Sequence, residues 1–310
     1  MTDPIFDILV AGEINPDLLL TGDVVPVFGQ VEKIVDSAIL LIGSSSVIFA
    51  CAAARLGLKV GFVGMCGDDI FGKFMLAEIS SRGVDIANVI VIPGGQTGLS
   101  VILNRGSDRA ILTNAGLIPA LKTEDVTPDL LCQARHLHVA SYFLQTSLQP
   151  GLPGLFEQAH SMGLTTSIDT NWDPSGNWHG LETLLRQVDV FLPNENEALA
   201  VSEADDIDTA ILFLIGLSKL VAVKQGGKGA TACSGGSLVH APAILVDVVD
   251  TVGAGDAFDA GFLLGFLKKW PLEKTLRLAV ACGSLSTRKA GGIAGQPSLE
   301  EAMRHVSSAG

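Results

Sequence analysis

Apolar and polar positions follow two different periods along this chain. Phe6-Asp7-Ile8-Leu9-Val10-Ala11-Gly12 is a short apolar run closed by glycine, which predicts a buried strand. Residues 46–56 are small and apolar over a helical length and stop at Gly57, predicting a helix with a C-terminal glycine. Residues 59–63 predict a second buried strand, and 71–82 a helix closed by Gly83. Residues 14–42 mix Leu, Val and Ile with Gly and Pro without helical period, and read as short strands and turns. Residues 97–103 and 109–113 flank Gly106-Ser107-Asp108 and predict a hairpin.

From His136 onward the two periods alternate. Residues 136–140, 165–169, 188–192 and 220–223 predict core strands, with helices at 154–162 and 209–217 between them. Helices then follow at 256–268, 272–287 and 299–306. Alternation of this kind implies an α/β fold with a doubly wound, mostly parallel sheet flanked by helices on both faces. We expect a single domain over 1–310, with the segments that break the alternation, 14–42 and the hairpin, as a small extra β-layer. Ligands of such sheets bind beyond the carboxyl ends of the strands. Gly12, Asn171, Asn194, Gly226 and Gly253 all fall at those ends.

Composition narrows the classes. With 310 residues, 48% hydrophobic and only 17% charged, the chain is core-rich. Its net charge of −13 argues against nucleic acid or an anionic membrane as partner. No apolar stretch reaches the roughly 18 residues of a membrane span, and residues 1–7 lack the basic start of a signal peptide. Five scattered cysteines, an odd number without a CxxC pair, fit a reducing cytoplasm and argue against a zinc site.

The densest chemistry lies in Asp250-Thr251-Val252-Gly253-Ala254-Gly255-Asp256-Ala257-Phe258. A glycine loop running into a helix start gathers unpaired N–H donors and a partial positive charge, an anion site suited to phosphate. Asp256 at its mouth would repel phosphate, and fits better as a base acting on an attacking hydroxyl; the alternative is a helix N-cap. Asn194 and Glu197, after an apolar strand, offer oxygen ligands to Mg²⁺, or simply enrich a helix N-terminus in acid. Lys224-Gln225-Gly226-Gly227-Lys228-Gly229 allows close nucleotide approach, or is a plain hairpin turn; it has neither P-loop nor Rossmann spacing. Asp17 either accepts from sugar hydroxyls or closes a turn around Pro16. Asp169-Thr170-Asn171-Trp172-Asp173 is a further polar strand end, where Trp172 or Trp178 stacks on substrate or packs locally. His136 and His138 alternate on a strand and read as structural, and Gly43-Ser44-Ser45-Ser46 either caps the next helix or presents N–H groups to a ligand.

Taken together these residues resemble the ribokinase-like (PfkB) carbohydrate kinases. The resemblance rests on the run 250–260, on Gly57 with 63–72, on Asn194-x-x-Glu197, Asp169-x-Asn171 and Gly226-x-x-Gly229, and spans Gly12 to about Ser298. It implies a β-lid over the sugar, formed by about 14–42 and 95–113. It implies ATP-dependent phosphorylation, with Asp256 as base and Gly253, Ala254 and Gly255 as anion hole. Asp17, Gly43 and Asn171 would contact the sugar, and Lys224, Gly226, Gly227 and Gly229 would border ATP. Asn194 and Glu197 would place Mg²⁺ through water. Asp250, the Val252 carbonyl and the turn at 290–292 would hold a monovalent cation such as K⁺, and the lid would pair two copies into a homodimer. Three positions leave the family pattern: Ser44 for a second glycine, Ile48 for an asparagine with loss of a hydroxyl contact, and Asp173, where members acting on acidic sugars carry arginine. We therefore expect the acceptor to be a hydroxymethyl group of a neutral sugar or polyol, with a nucleoside kinase, or a non-catalytic sugar- or nucleotide-binding sensor, as alternatives.

Overall fold

The computed structural model describes residues 4–105 and 108–306; residues 1–3, the Gly106-Ser107 tip of the expected hairpin and residues 307–310 lie outside the described residues. Eight strands form the central sheet, in the order Ser237–Ala241, Ala230–Ser234, Leu220–Lys224, Val190–Phe191, Thr165–Ile168, His136–Val139, Ile8–Ala11, Val60–Val63. The last six run parallel. The first two form an antiparallel hairpin at one edge.

Because successive side chains on a strand point to opposite faces, the sheet feeds two cores. Ile8 and Val10 join one, Leu9 and Ala11 the other. The first is covered by the helices Ser45–Arg55, Ala254–Leu267 and Leu272–Ser286, the second by Leu152–Ser161 and Ile207–Ile215. A parallel sheet buried on both faces needs near-continuous apolar strands; His136 and His138 are the exceptions on theirs. Both are fully buried, and their pKa values are driven down to about 3, mainly by desolvation. The neutral rings are met by hydroxyls instead: His136 by Thr165 Oγ1 and Ser167 Oγ, His138 by Ser167 Oγ, each at 2.7 Å. His138 also stacks on Phe49, with ring centroids 3.9 Å apart.

The Ala254–Leu267 helix is set close to its neighbour by two glycines. A Cβ on Gly265 would lie 2.6 Å from Thr275 Oγ1, and one on Gly261 2.9 Å from Cys282 Sγ. That close approach fixes where the N-terminus of the helix points, which matters for the site below.

A second sheet of four strands, ordered Ser37–Ile42, Pro16–Thr21, Leu99–Arg105, Asp108–Asn114, stands over the strand ends as a lid. Its strands come from the two segments that break the alternation in the sequence. Two features lie outside the sequence reading. One is the short parallel pair Met65–Gly67 with Ile90–Ile92. The other is the edge hairpin, whose first strand, Ala230–Ser234, is built of small side chains that carry little strand signal. Its turn residues Gly235 and Gly236, with φ of 56° and 80°, are the available clue, since a two-residue hairpin loop needs positive φ. Among the described residues no helix is long and apolar enough to cross a membrane.

Phe156 is fully buried in the second core, away from the lid. Phe156→Ala should lower unfolding stability by about 3–5 kcal/mol in a denaturant titration. The folded fraction should keep its catalytic rate.

Candidate active site

The candidate residues gather at the carboxyl ends of five parallel strands. Glu13 follows Ile8–Ala11, Ser141 follows His136–Val139, Asp169 and Asn171 follow Thr165–Ile168, Asn194 follows Val190–Phe191, and Lys224 closes Leu220–Lys224. Against these ends stand the N-termini of Ser45–Arg55 and Ala254–Leu267. The latter begins after Gly253, its N-cap in the left-handed region at φ 72°. A side chain there is barred twice: by that φ, and because a Cβ would lie 2.6 Å from Gly292 Cα and 2.8 Å from Ile48 Cγ2. Asp256 is the third helical residue and not the N-cap, so the alternative reading of it as the cap is corrected. The amides of this first turn have no helical carbonyl to bond, and Ala254 N–H reaches only Thr251 O at 3.3 Å.

Four charged side chains share the space beneath that turn. Lys224 Nζ donates to Asp169 at 2.8 Å and to both oxygens of Asp259 at 3.2 Å. Burial works to raise Asp169, but the Lys224 ammonium beside it and a hydrogen bond from Asp259 hold its pKa down. Asp259 is pushed well up, by burial first and then by its carboxylate neighbours. Asp256 is also raised well above the usual range: burial dominates, Asp169 and Glu13 add repulsion, and Lys224 and a hydrogen bond from Ser45 oppose them. Among the described residues, Asp169, Asp256 and Asp259 are the group whose ligand atoms come within 4.8 Å of one another. The ammonium of Lys224 already supplies a cation to two of the three. Lys224, expected from sequence at the nucleotide, is thus largely engaged by carboxylates, although it also borders the cleft described next.

That cleft, of about 250 Å³, has Gly226, Gly227 and Gly229 on one wall and Ile244, Val246 and Phe258 on others, with Gly255 at its end. The glycine run is the turn between two antiparallel strands, and three of its glycines line the cleft. Gly229 (φ 99°) admits no side chain, since a Cβ would strike Ala241 O.

Asn194 and Glu197 form a capping box: Glu197 N–H donates to Asn194 Oδ1 at 2.9 Å, and Asn194 N–H to Glu197 Oε2 at 2.8 Å. Glu197 is buried and its pKa is raised to about 7, by desolvation and then by Asp169. Asp250 accepts from Val252 N–H at 3.0 Å and from Gly291 N–H at 2.8 Å, tying the 290–292 turn to the glycine loop.

On the lid side, Asp17 is buried beside Gly43, where a Cβ would collide with the Asp17 carboxylate. Asn171, at φ 53°, donates from Nδ2 to Ser45 Oγ at 2.7 Å and to Ser141 Oγ at 2.8 Å. Glu13, not singled out in the sequence, accepts from Ser44 Oγ (3.0 Å), Ser46 Oγ (2.5 Å) and Ser141 Oγ (2.9 Å). The signal for it is a carboxylate directly after a buried strand, paired with the serine run it binds. Ser44 caps the helix, accepting from Val47 N–H at 3.1 Å.

Two positions that leave the family pattern have local partners. Ile48 is 3% exposed and packs against Gly253 and Gly292. Asp173 is spent on its own loop, accepting from the N–H groups of Ser175 (2.8 Å), Asn177 (3.0 Å) and Trp178 (2.9 Å). Trp172 and Trp178 meet edge to face, and Trp178 also meets Phe143, so each Trp has an aromatic neighbour close by.

Residues 49–299 match the family described as pfkB family carbohydrate kinase. The chain is 32% identical over 292 residues to an ATP-dependent ribose-1-phosphate kinase of Halopiger xanaduensis, covering 92% of this chain and 93% of that one. It is 31% identical to a fructokinase of Klebsiella pneumoniae, covering 85% and 91%. Its fold is similar to that of a candidate ribokinase II from E. coli in complex with ATP and Mg²⁺, with TM-score 0.86, 23% identity and coverage of 97% and 99%.

The burial of Asp17 has a measurable cost. Desolvation raises its pKa to about 7 against the pull of Arg109, with Glu13 adding repulsion. The folded state therefore holds a proton that an unfolded aspartate loses near pH 4. Stability from this group is whole below about pH 4 and is lost as pH rises through about 7. Asp17→Asn should raise the melting temperature at pH 8, with the gain vanishing near pH 4; equal melting at pH 8 would contradict the assignment.

Proposed function

The chain belongs to the pfkB family of carbohydrate kinases, and on that premise we propose that it moves the γ-phosphoryl group of ATP to a hydroxymethyl group of a neutral sugar or polyol. It is an ATP-dependent sugar kinase. What carries the finer reading is Asp256: a buried carboxylate whose pKa is raised toward that of a base, placed in the first turn of a helix whose amides lack helical partners.

Asp17, Gly43 and Asn171 hold the sugar under the lid so that its hydroxymethyl oxygen faces Asp256. Asp256 takes the hydroxyl proton as that oxygen attacks the γ-phosphorus in line. The amides following Gly253, with Ala254 and Gly255, receive the equatorial oxygens of the phosphoryl group. Their dipoles are fixed before the reaction, which is where such sites gain most. The cleft at Gly226, Gly227 and Gly229 takes the nucleotide, with its apolar wall against the base. Asn194 and Glu197 fit a Mg²⁺ ion held through water: their donors are hard oxygens, and a cation would favour the ionised form of the buried Glu197. Bound there, the ion supplies positive charge beside the phosphates. Asp250, which among the described residues has no salt-bridge partner, and the Val252 carbonyl fit a K⁺-type ion in the same way.

A neutral acceptor is favoured because carboxylates gather at these strand ends: Glu13 repels both Asp17 and Asp256, and Asp169 repels Asp256. A phosphorylated sugar is the second reading. It rests on Arg109, whose charge acts on Asp17, and on the likeness to a kinase named for ribose 1-phosphate. We also propose a homodimer through the lid, where Phe28 is 96% and Ile34 82% exposed. A cytoplasmic location suits the five free cysteines.

Asp256→Asn should fold normally and lose about 10²–10⁴ in kcat; near-normal turnover by that variant removes Asp256 as the base. Assayed with ATP, ribose, fructose or a polyol should exceed ribose 1-phosphate in kcat/KM, and Arg109→Ala should leave that order unchanged. Preference for the phosphosugar, lost in Arg109→Ala, would establish the second reading instead.

A further inference from the structure

The chain carries 33 acidic residues against 20 basic ones, yet at one place three cations line a single cavity. Arg55, Arg288 and Lys289 border about 310 Å³ of space, with Gly295, Gln296 and Glu301 also on its walls. Three elements bring them together. Arg55 ends the helix Ser45–Arg55, Arg288 and Lys289 follow the helix Leu272–Ser286, and Glu301 lies on the helix Leu299–Val306. None of them lines the nucleotide cleft.

These cations are unequally matched. Arg288 Nη2 donates to Glu301 Oε1 at 2.7 Å, and its Nε donates to Leu285 O at 2.8 Å. Among the described residues, the side chains of Arg55 and Lys289 make no hydrogen bond or salt bridge, and both residues are exposed. Arg55 does act on Glu301 through space, after Arg288, helping to hold that carboxyl below its usual range. One carboxylate thus serves three cations. Like charges around one cavity repel unless an anion is shared between them. The surplus of two positive charges matches the charge of a phosphomonoester near pH 7. Guanidinium forks meet phosphate oxygens two at a time, and an ammonium adds a point charge.

We propose that this cavity binds a phosphate group, free or carried by a small metabolite, at a site separate from the one that handles ATP and sugar, and that its occupancy is felt at the glycine loop. The wall of the cavity is also the backing of that loop. Gln296, 3% exposed, donates from Nε2 to Ile48 O at 2.9 Å and to Gly292 O at 3.1 Å. Ile48 and Gly292 are the groups that crowd Gly253, the N-cap of the helix bearing Asp256. One residue before Arg288, Thr287 O accepts from the amides of Val249 at 2.8 Å and Asp250 at 3.1 Å. Gly291 N–H donates to Asp250 Oδ2 at 2.8 Å. An anion drawn to Arg288 and Lys289 fixes the segment 287–296, and with it both the Asp250 turn and the start of that helix. Binding in the cavity is independent of the reaction proposed above; its effect on turnover rests on the glycine loop being the phosphoryl site.

The test fills the nucleotide cleft and the glycine loop with a non-hydrolysable ATP analogue, so that added phosphate cannot enter there, and holds ionic strength constant. Inorganic phosphate at about ten times its dissociation constant should raise the melting temperature by about 2–4 °C. Glycerol 3-phosphate separates the two sources: tighter binding of the ester assigns the cavity to a phosphorylated metabolite, tighter binding of the free ion to phosphate itself. The Arg55→Gln/Lys289→Gln double variant changes two exposed residues outside the catalytic site. It should fold, keep its phosphate-free kcat and lose the shift. In turnover, phosphate should lower the KM for ATP about 5-fold or more in the unaltered chain and leave it unchanged in the double variant. No shift, or the same shift in the double variant, overturns the site. A shift lost in the double variant with an unmoved KM in the unaltered chain overturns the coupling and leaves the site standing.

Discussion

A single buried ammonium conditions the rest of this molecule. Lys224 arrives at the end of one strand and meets Asp169 from another and Asp259 from the helix that carries Asp256. Burying three carboxylates and one lysine together is costly unless each charge is met by a partner. Here the cost is lowered by leaving protons in place: Asp169 stays ionised against Lys224, while Asp259 and Asp256 are pushed toward the neutral form. Removing the ammonium would leave Asp169 buried and uncompensated, so the strand end and the helix depend on it structurally as well as electrostatically. Burial and then Asp169 raise the basicity of Asp256 while Lys224 opposes them, which suits the base proposed there. Stability and chemistry therefore draw on one set of contacts.

The sequence is most readable where one periodicity dominates. The parallel strands and long helices are evident because a continuous apolar run ended by glycine must be buried along its length. The glycine loop before Asp256 is evident because glycines beside a helix start stand out from the apolar runs around them. Long-range pairing is harder to see. Nothing local tells Glu13 that it will meet Ser141, 128 residues away, or Lys224 that it will meet Asp169 and Asp259. Ile48 and Asp173 show the same limit from the other side. Their places in the chain do not reveal that one packs against glycines and the other accepts from the amides of its own loop.

The lid and the sheet divide the work differently. The central sheet holds its groups through two apolar cores and strained or crowded glycines, so its geometry is over-determined. The lid is thinner, with exposed apolar residues on its strands such as Ile39 and Leu112, and contributes Asp17 at a penalty in neutral solution.

The position of the first strand has a consequence for how the chain is made. Ile8–Ala11 lies between Val60–Val63 and His136–Val139, so during ribosomal synthesis it must wait for one neighbour about 50 residues later and the other about 125. The helix bearing Asp256 emerges later still. A nascent chain thus carries bare strand edges until those partners have been made, and unpaired edges invite aggregation. The helix that bears Asp256 is added only after every parallel strand of the central sheet has been synthesised.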